Sequence, residues 1–266
     1  MDTELLSKKF GQMGARVKVA PFVSEIAPWD SGGIDIKSDA KGEYFDIRVE
    51  ANDNVEYEVI DTRPDLRHLL LMARTETGKQ KFLCGHDERH WFVCAVPGDS
   101  VSNVVNALEA LQPREVKAAV NRRVKRVKDR LRRRNKAFVR QGEWFFVPVE
   151  SLIVDPTLVI PNEPLSRGGG SKSHMCQYMY RTGGERVWVC QRYPAGVTEA
   201  QYRRILSSTP YSEHWTWRQM RREPMVHIRG RVWHPDHKTI VLHGWHRVLM
   251  NTEREAAGAD HIVFLD

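Results

Sequence analysis

The hydrophobic positions between residues 43 and 112 change their period once. Up to residue 96 they fall in short runs rich in Val, Ile, Phe and Tyr, such as EYFDIRVE and RHWFVCAV, separated by turn-forming clusters such as NDN and GHDE. This pattern predicts five antiparallel strands in a meander. SVSNVVNALEAL then has helical spacing, with Ser100 or Ser102 as a suitable N-cap. Residues 1–112 are therefore predicted to form a β-meander followed by a helix.

From Pro113 onward the apolar positions follow the period of a helix. They recur at steps of four, four, three and four residues, at Val116, Val120, Val124, Val127 and Leu131. This narrow stripe predicts one long amphipathic helix of about 25 residues within residues 113–140. The stripe is expected to dock on the body of the protein or on a partner helix.

After residue 140 the pattern predicts strands again. Two pairs of apolar segments flank turn-forming residues, at Gly183-Gly184 and at Pro235-Asp236-His237, and each pair predicts a hairpin. Short helices are predicted at 198–208 and 212–222, and HIVFL near the end is a candidate strand. The predicted fold class is α+β, with mostly antiparallel sheets and the long basic helix between an N-terminal half and a C-terminal domain at 141–266.

Charge is concentrated in one segment. The chain of 266 residues has 41% hydrophobic and 28% charged residues, values typical of a soluble globular protein, and a net charge of +7. Between Arg114 and Arg140 there are thirteen Lys and Arg but two acids, so this window carries +11 and the remainder carries −4. Such a concentration predicts a phosphate-rich or acidic partner.

The predicted helix presents a row of cations beside its apolar stripe. These are Arg122, Lys125, Arg126, Arg130, Arg133 and Arg134. Solvated helices usually alternate acids and bases at i,i+4, whereas this window has Glu115 and Asp129 as its acids. Arginine predominates in the second half, which favours forked contacts with phosphate. The main hypothesis is a nucleic-acid-binding protein, with RNA slightly favoured over DNA.

Two further segments are expected to add phosphate contacts. The loop SRGGGSKS has Arg167 and Lys172 beside three glycines, whose backbone amides can approach an anion closely. The hairpin near the C-terminus carries Arg229 and Arg231 on one face of its first strand.

The same hairpin carries candidate catalytic histidines. A turn at residues 235–238 would place His227 opposite His246, with the two arginines beside them. Imidazoles can donate and accept protons near pH 7, so an alternative hypothesis is a phosphodiesterase or nuclease that cleaves nucleic acid. Whether the protein is an enzyme is left open.

The segment CGHDERHWFVC contains weak candidates for a metal site: His86, Asp87, Glu88 and His90. Their spacing matches no zinc module, and a polar turn between two strands explains them more simply. Mg²⁺ or Zn²⁺ is expected only if the nuclease hypothesis holds, and otherwise no cofactor is expected.

Other features narrow the partners and the location. A second alternative is a protein–protein adaptor that pairs through the stripe from Val116 to Leu131. Trp215 and Trp217 alternate with arginines in HWTWRQMRR, a composition that suits stacked bases, although anchoring of a short helix is the preferred interpretation.

The location is predicted from the cysteines and the apolar runs. The cysteines are expected to be reduced, and the apolar runs are too short to span a bilayer. A cytoplasmic location without membrane contact is therefore expected.

Overall fold

The structure is a computed structural model that describes residues 3–22, 33–50, 55–76, 78–167 and 172–253. The described chain divides into two compact units. Unit 1 comprises the described residues up to 145 together with 235–238 and 250–253. Unit 2 comprises the described residues of 146–234 and 239–249.

Unit 1 begins with a helix and a small mixed sheet. The elements are α1 (Thr3–Gln12), β1 (Val17–Phe22), β2 (Ile34–Asp39) and β3 (Gly42–Glu50). The strand order is β1-β3-β2, with β1 parallel to β3 and β2 antiparallel to it. The first strand of the predicted meander is therefore β3, and it belongs to this separate sheet.

The other four predicted meander strands are confirmed. They are β4 (Glu56–Arg63), β5 (His68–Thr75), β6 (Gly78–His86) and β7 (Trp91–Ala95), joined antiparallel in chain order. β5 has apolar side chains on both faces because alternate residues point to opposite sides of a sheet. Leu69 and Leu71 pack in a cluster with Phe10 and Phe45, whereas Leu70 packs in a second cluster.

That second cluster includes α2 (Val104–Ala110), which confirms the helix predicted here. The predicted caps are wrong: Asn103 is the N-cap, and its side chain accepts a hydrogen bond of 2.8 Å from the backbone N–H of Asn106. Ser102 instead donates to the side chain of Asn106 at 3.3 Å.

The prediction of one long basic helix within residues 113–140 is wrong. The segment forms α3 (Arg114–Arg123) and the single turn α4 (Val127–Arg130), separated by extended backbone at Val124. Cations crowd the end of α3 at Arg122 and Arg123 and continue beyond it, so a continuous helix would place like charges three and four residues apart. Two β-branched valines beside them lower helix propensity further.

The remaining strands begin with β8 (Val139–Gln141) and β9 (Trp144–Pro148). Later elements are β10 (Ile160–Leu165), β11 (His174–Thr182), β12 (Glu185–Cys190), β13 (Tyr193–Thr198), α5 (Glu199–Ser208), β14 (Arg218–Arg222), β15 (Met225–His234) and β16 (His237–Met250). One sheet has the order β10-β11-β15-β16-β9-β8, and another has the order β13-β12-β14.

A glycine bulge interrupts β15. Gly230 has φ +88, and a Cβ at this position would lie 2.5 Å from the side-chain oxygen of Gln177, so no other residue fits without strain. The same oxygen accepts a hydrogen bond of 2.9 Å from the backbone N–H of Arg231. The pairing of β11 with β15 shifts register at this point, between Cys176 and Tyr178.

The predicted hairpin around Gly183-Gly184 is wrong, because its two strands lie in different sheets. Both edges of β11 are occupied, by β10 and β15, and β12 pairs with β13 and β14. Cys176 and Cys190 are accordingly free and buried, as are Cys84 and Cys94.

The helix at 198–208 is confirmed as α5, and Thr198 forms a capping box with Gln201. The helix predicted at 212–222 is wrong: residues Ser212–His214 form one 3₁₀ turn, and Arg218–Arg222 pair with β12 as a strand. The predicted last strand, HIVFL, lies outside the described residues. The described chain is mostly β, with several antiparallel sheets and five α-helices of at most ten residues.

Candidate nucleic-acid interface

The basic segment is organised by one asparagine after α4. The side-chain amide of Asn135 donates to the backbone carbonyls of Asp129 and Arg132, at 3.2 and 3.4 Å. Its side-chain oxygen accepts from the backbone N–H groups of Ala137 and Phe138, at 2.8 and 3.1 Å. These bonds close the chain into a compact turn in place of a helix, and they hold its cations on the surface of unit 1.

Most cations of this segment are exposed. We call these exposed side chains the cationic surface: Arg114, Lys117, Arg122, Lys125, Arg126, Lys128, Arg132, Arg134 and Lys136. Arg132 forms an ion pair with Asp129 at 3.1 Å. Within the part of the chain that the structure describes, Arg122, Lys125 and Arg126 have no ion pair. Three of the predicted phosphate contacts are therefore available to a ligand.

Arg133 has a different position. Its guanidinium forms ion pairs with Asp87 and, at 3.4 Å, with Glu88, both in the predicted GHDERH turn. Asp87 is 7% exposed. Burial, reinforced by the positive charge of Arg140, lowers the pKa of Arg133 to about 10, so the side chain is still cationic at neutral pH. The structure therefore places Arg133, partly buried, as the counter-charge of a buried acid.

The same two acids hold the turn at residues 235–238, which belongs to unit 1. Glu88 accepts a hydrogen bond of 2.6 Å from the backbone N–H of Lys238, and the side-chain amide of Gln141 donates to the carbonyl of Lys238 at 2.7 Å. The Nδ1 atom of His237 lies 3.4 Å from a carboxylate oxygen of Asp87. Asp87 and Glu88 thus have structural partners on several sides.

The other two predicted metal ligands point to different neighbours. His90 contacts Glu43 at 2.6 Å, and the imidazole of His86 packs edge-on against Trp91 with ring centroids 4.8 Å apart. Burial and the charge of Arg67 lower the pKa of His86. Among the described residues, no group of three converging ligand atoms includes a member of the GHDERH turn.

A polar cleft of about 480 Å³ lies beside the cationic surface in unit 1. α2, α3 and α4 supply its walls. Its polar lining consists of two cations, one acid, three amides and one hydroxyl: Lys117, Arg130, Glu109, Asn106, Gln112, Asn121 and Ser100. Arg130 donates to the side-chain oxygen of Asn121 at 3.2 Å. The cleft combines cations with amides, which are side chains able to hydrogen-bond phosphates and base edges.

The candidate catalytic histidines of unit 2 are buried. His227 is 4% exposed and His246 is 5% exposed. Burial and the charge of Arg247 lower the pKa of His227, so it is neutral at pH 7. Strand β15 ends at His234 and β16 begins at His237, so the turn is two residues shorter than the turn assumed from sequence. Gly230 and Gly244, both with positive φ, interrupt the alternation, and the opposition of His227 and His246 stays a prediction.

Other predicted contacts in unit 2 lie on the surface. Arg167, Lys172, Arg229 and Arg231 are exposed. The guanidinium of Arg229 lies over the rings of Tyr178 and Trp245, 5.5 and 5.2 Å from their centroids. The glycines 168–170 between Arg167 and Lys172 lie outside the described residues, as does Ser171.

One contact in unit 2 had no counterpart in the sequence interpretation. The rings of His174 and His234 stack with centroids 4.3 Å apart, and His174 is 1% exposed. No other histidine lies near His174 in the sequence. Strand alternation therefore gave no reason to place it beside the distant hairpin that contains His234.

The stripe assigned to a protein partner is largely used within unit 1. Val116, Val120 and Val124 are buried, and Leu131 packs against the α2 cluster. Val127 is 75% exposed. The apolar area that the adaptor hypothesis needs is therefore reduced to one side chain.

Comparison with known proteins gives no relatives for this arrangement. No protein-family model matches the sequence, and no curated protein or solved structure matches it either. None of the described helices is long and apolar enough to cross a membrane.

Proposed function

We propose that the protein binds nucleic acid, with RNA favoured, and that the cationic surface of unit 1 contacts the phosphates. The observation that carries this proposal is the exposure of Arg122, Lys125 and Arg126 without acid partners in the described chain. Exposed cations repel one another unless an anionic partner neutralises them. A nucleic-acid backbone presents closely spaced phosphates, and binding it releases counterions.

The broken helix supports contact with an irregular ligand. The cations are divided among α3, the extended residues around Val124 and the turn after α4, so they do not lie along one continuous helix. A folded RNA offers phosphates in many directions and exposes unpaired bases. The polar cleft beside the segment adds Lys117 and Arg130, together with amides, as a site for a single nucleotide of the bound strand.

Cleavage of the bound strand has weaker support. His227 and His246 are buried, and a general acid or base must come within hydrogen-bond distance of its substrate. Asp87 and Glu88 are engaged by Arg133. Binding without chemistry is therefore the preferred proposal.

The test is a charge reversal with a matched control. K125E/R126E changes two exposed cations of the cationic surface, and K8E/K79E makes the same change in net charge at two exposed lysines elsewhere in unit 1. Binding of a labelled RNA hairpin is measured by fluorescence anisotropy at several salt concentrations. We expect K125E/R126E to weaken binding about tenfold or more, and to reduce the slope of log K against log salt by about 2, because two phosphate contacts are lost.

The control variant K8E/K79E is expected to bind within about twofold of wild type, because non-contacting charges act only through screened long-range attraction. Equal weakening by both variants would show a general charge effect and contradict the assignment of the cationic surface. Absence of wild-type binding at low salt would contradict the proposal that the cationic surface contacts the phosphates of a folded RNA.

A further inference from the structure

Three aromatic rings of unit 2 form a stepped surface. The ring centroids of Tyr193 and Trp217 are 5.8 Å apart, those of Trp215 and Trp217 are 5.9 Å apart, and those of Tyr193 and Trp215 are 6.2 Å apart. Their planes differ by between 13° and 31°. Three nearly equal distances describe a triangle, so the rings lie side by side in offset steps rather than in one column. We call these three side chains the aromatic platform.

The platform is held in place by its neighbours in unit 2. Trp217 donates its indole N–H to the carbonyl of Ser212 at 2.9 Å, and Tyr202 of α5 packs edge-on against it with centroids 4.9 Å apart. Tyr193 is the first residue of β13. All three rings of the platform keep part of their surface exposed. A rigid, partly exposed group of rings presents apolar area at little entropic cost.

The segment that contains the platform has an excess of positive charge. The guanidinium of Arg192 lies over Trp215, 4.5 Å from the ring centroid, and is exposed. Residues 185–222 contain seven arginines and three glutamates. Two of those glutamates, Glu185 and Glu199, are paired with Arg222 and Arg203. The excess of arginine complements an anion whose flat parts cover aromatic rings, which is the chemistry of a nucleotide.

We propose that the aromatic platform binds unpaired bases of a single-stranded segment. This inference rests on the proposed nucleic-acid binding and extends it from phosphate contact in unit 1 to base contact in unit 2. Bases stack on the exposed parts of Trp215 and Tyr193, and Arg192, which covers one face of Trp215, contacts the phosphate of the same nucleotide. Bases within a duplex are already stacked on each other, so the platform discriminates in favour of single strands.

The experiment compares two probes and four variants of the full chain. The probes are a labelled oligouridylate of about 15 nucleotides and a blunt RNA duplex of about 15 base pairs, both long enough to cover several stacking positions. The variants are W215A, the ring-conserving W215F, Y211A and K125E/R126E. Tyr211 is 75% exposed and lies in unit 2 outside the platform, so Y211A is the matched control.

We expect W215A to lose about 5- to 150-fold in affinity for oligouridylate, the effect of removing one stacked base. Its affinity for the duplex is expected to stay within about twofold of wild type. W215F retains a ring and is expected to recover most of the loss, while Y211A matches wild type with both probes. K125E/R126E is expected to weaken both probes, because both carry phosphates.

The contrary outcomes show which proposal is at fault: the aromatic platform, the phosphate contacts of unit 1, or both. Unchanged oligouridylate binding by W215A, with K125E/R126E weakened, overturns the platform and leaves the proposed function standing. Equal losses for W215A with both probes also overturn the platform, because base stacking cannot explain lost duplex binding. Loss of oligouridylate binding in W215A alone, with K125E/R126E unaffected, supports the platform and overturns the assignment of phosphate contacts to unit 1. Failure of wild type to bind either probe overturns both proposals.

Discussion

Arg132 and Arg133 are neighbours in sequence with different surroundings. The Arg132 side chain is 64% exposed and pairs with Asp129 one turn away, whereas the Arg133 side chain is 32% exposed and pairs with Asp87 and Glu88. An exposed pair contributes little because water screens it, whereas removing the partner of a buried acid leaves an uncompensated charge. In the sequence both belong to one basic run, and of the two Arg133 was the predicted phosphate contact.

This contrast predicts different costs for two adjacent alanine substitutions. R133A is expected to lower the free energy of unfolding by about 2–4 kcal/mol, because Asp87 keeps its burial but loses its counter-charge. R132A is expected to lower it by less than about 0.5 kcal/mol. Urea unfolding at pH 7 measures both values. Similar costs for the two variants would show that the pairing of Arg133 with Asp87 carries no stability.

His68 is a second residue whose chemistry depends on its surroundings. It lies against the ring of Phe92, with centroids 5.6 Å apart, and its Nδ1 contacts the carbonyl of Leu66 at 2.5 Å. A Cβ at Gly85 would meet its imidazole at 2.6 Å, so the glycine leaves room for the ring. Burial lowers the pKa of His68 to about 4. The folded protein therefore keeps this imidazole neutral at pH 5, where the unfolded chain is protonated.

The lowered pKa predicts a loss of stability in acid. The contribution of neutral His68 is fully present above pH 6.5, the usual pKa, and is lost as the pH falls from 6.5 to about 4, because only the unfolded chain binds the proton in that window. Between pH 7.5 and pH 5, wild type is expected to lose about 2 kcal/mol more than H68Q, which cannot titrate. Urea unfolding of both proteins at the two pH values measures the difference. Parallel loss in the two proteins would contradict a buried neutral imidazole.

The segment between α3 and α4 is extended, although its apolar positions have the spacing of a helix. Val116, Val120, Val124 and Val127 share one face of an ideal helix, yet Val124 is 5% exposed and Val127 is 75% exposed. The break at Val124 turns the chain so that the next valine leaves the apolar face. Clustered like charges and the β-branched valines of the stripe oppose the helix here, and the spacing of the apolar positions reflects neither effect.

The break predicts unequal effects of two valine truncations. V124A is expected to lower the free energy of unfolding by about 1–3 kcal/mol, since it removes buried methyl groups. V127A is expected to stay within about 0.5 kcal/mol of wild type, since its side chain is in water. Chemical denaturation of wild type and the two variants at one pH measures both changes in the free energy of unfolding. Comparable losses would indicate that Val127 is buried and that the helix continues through Val124.

Strands were more predictable than helices in this chain, but their partners were not. Four strands of the meander and α5 with its Thr198 cap follow local signals, namely alternation, turn residues and a capping box. The pairing of β12 with β13 and β14 does not, because a strand's apolar pattern is satisfied by any neighbour of suitable length. The predicted hairpin was wrong for that reason.

Across the chain, the distribution of charge follows from sequence. The excess of +11 between Arg114 and Arg140, the scarcity of acids there and the arginine-rich stretch around Trp215 and Trp217 are properties of composition, and the proposal of an anionic partner rests on them. These features hold in any fold, since covalent order keeps the charges within a few residues of each other. The local caps and strand periods are equally independent of the rest of the molecule.

Tertiary structure alone decided which of those side chains face water. Arg133 is partly buried because it pairs with Asp87, a buried acid distant in sequence, whereas Arg122, Lys125 and Arg126 are exposed. Likewise, the turn before β13 supplied Arg192, and β13 itself placed Tyr193 beside Trp215. Such contacts join residues far apart in the chain, and their formation depends on the path of the backbone. Local patterns of periodicity and composition do not determine that path, so they cannot predict these contacts.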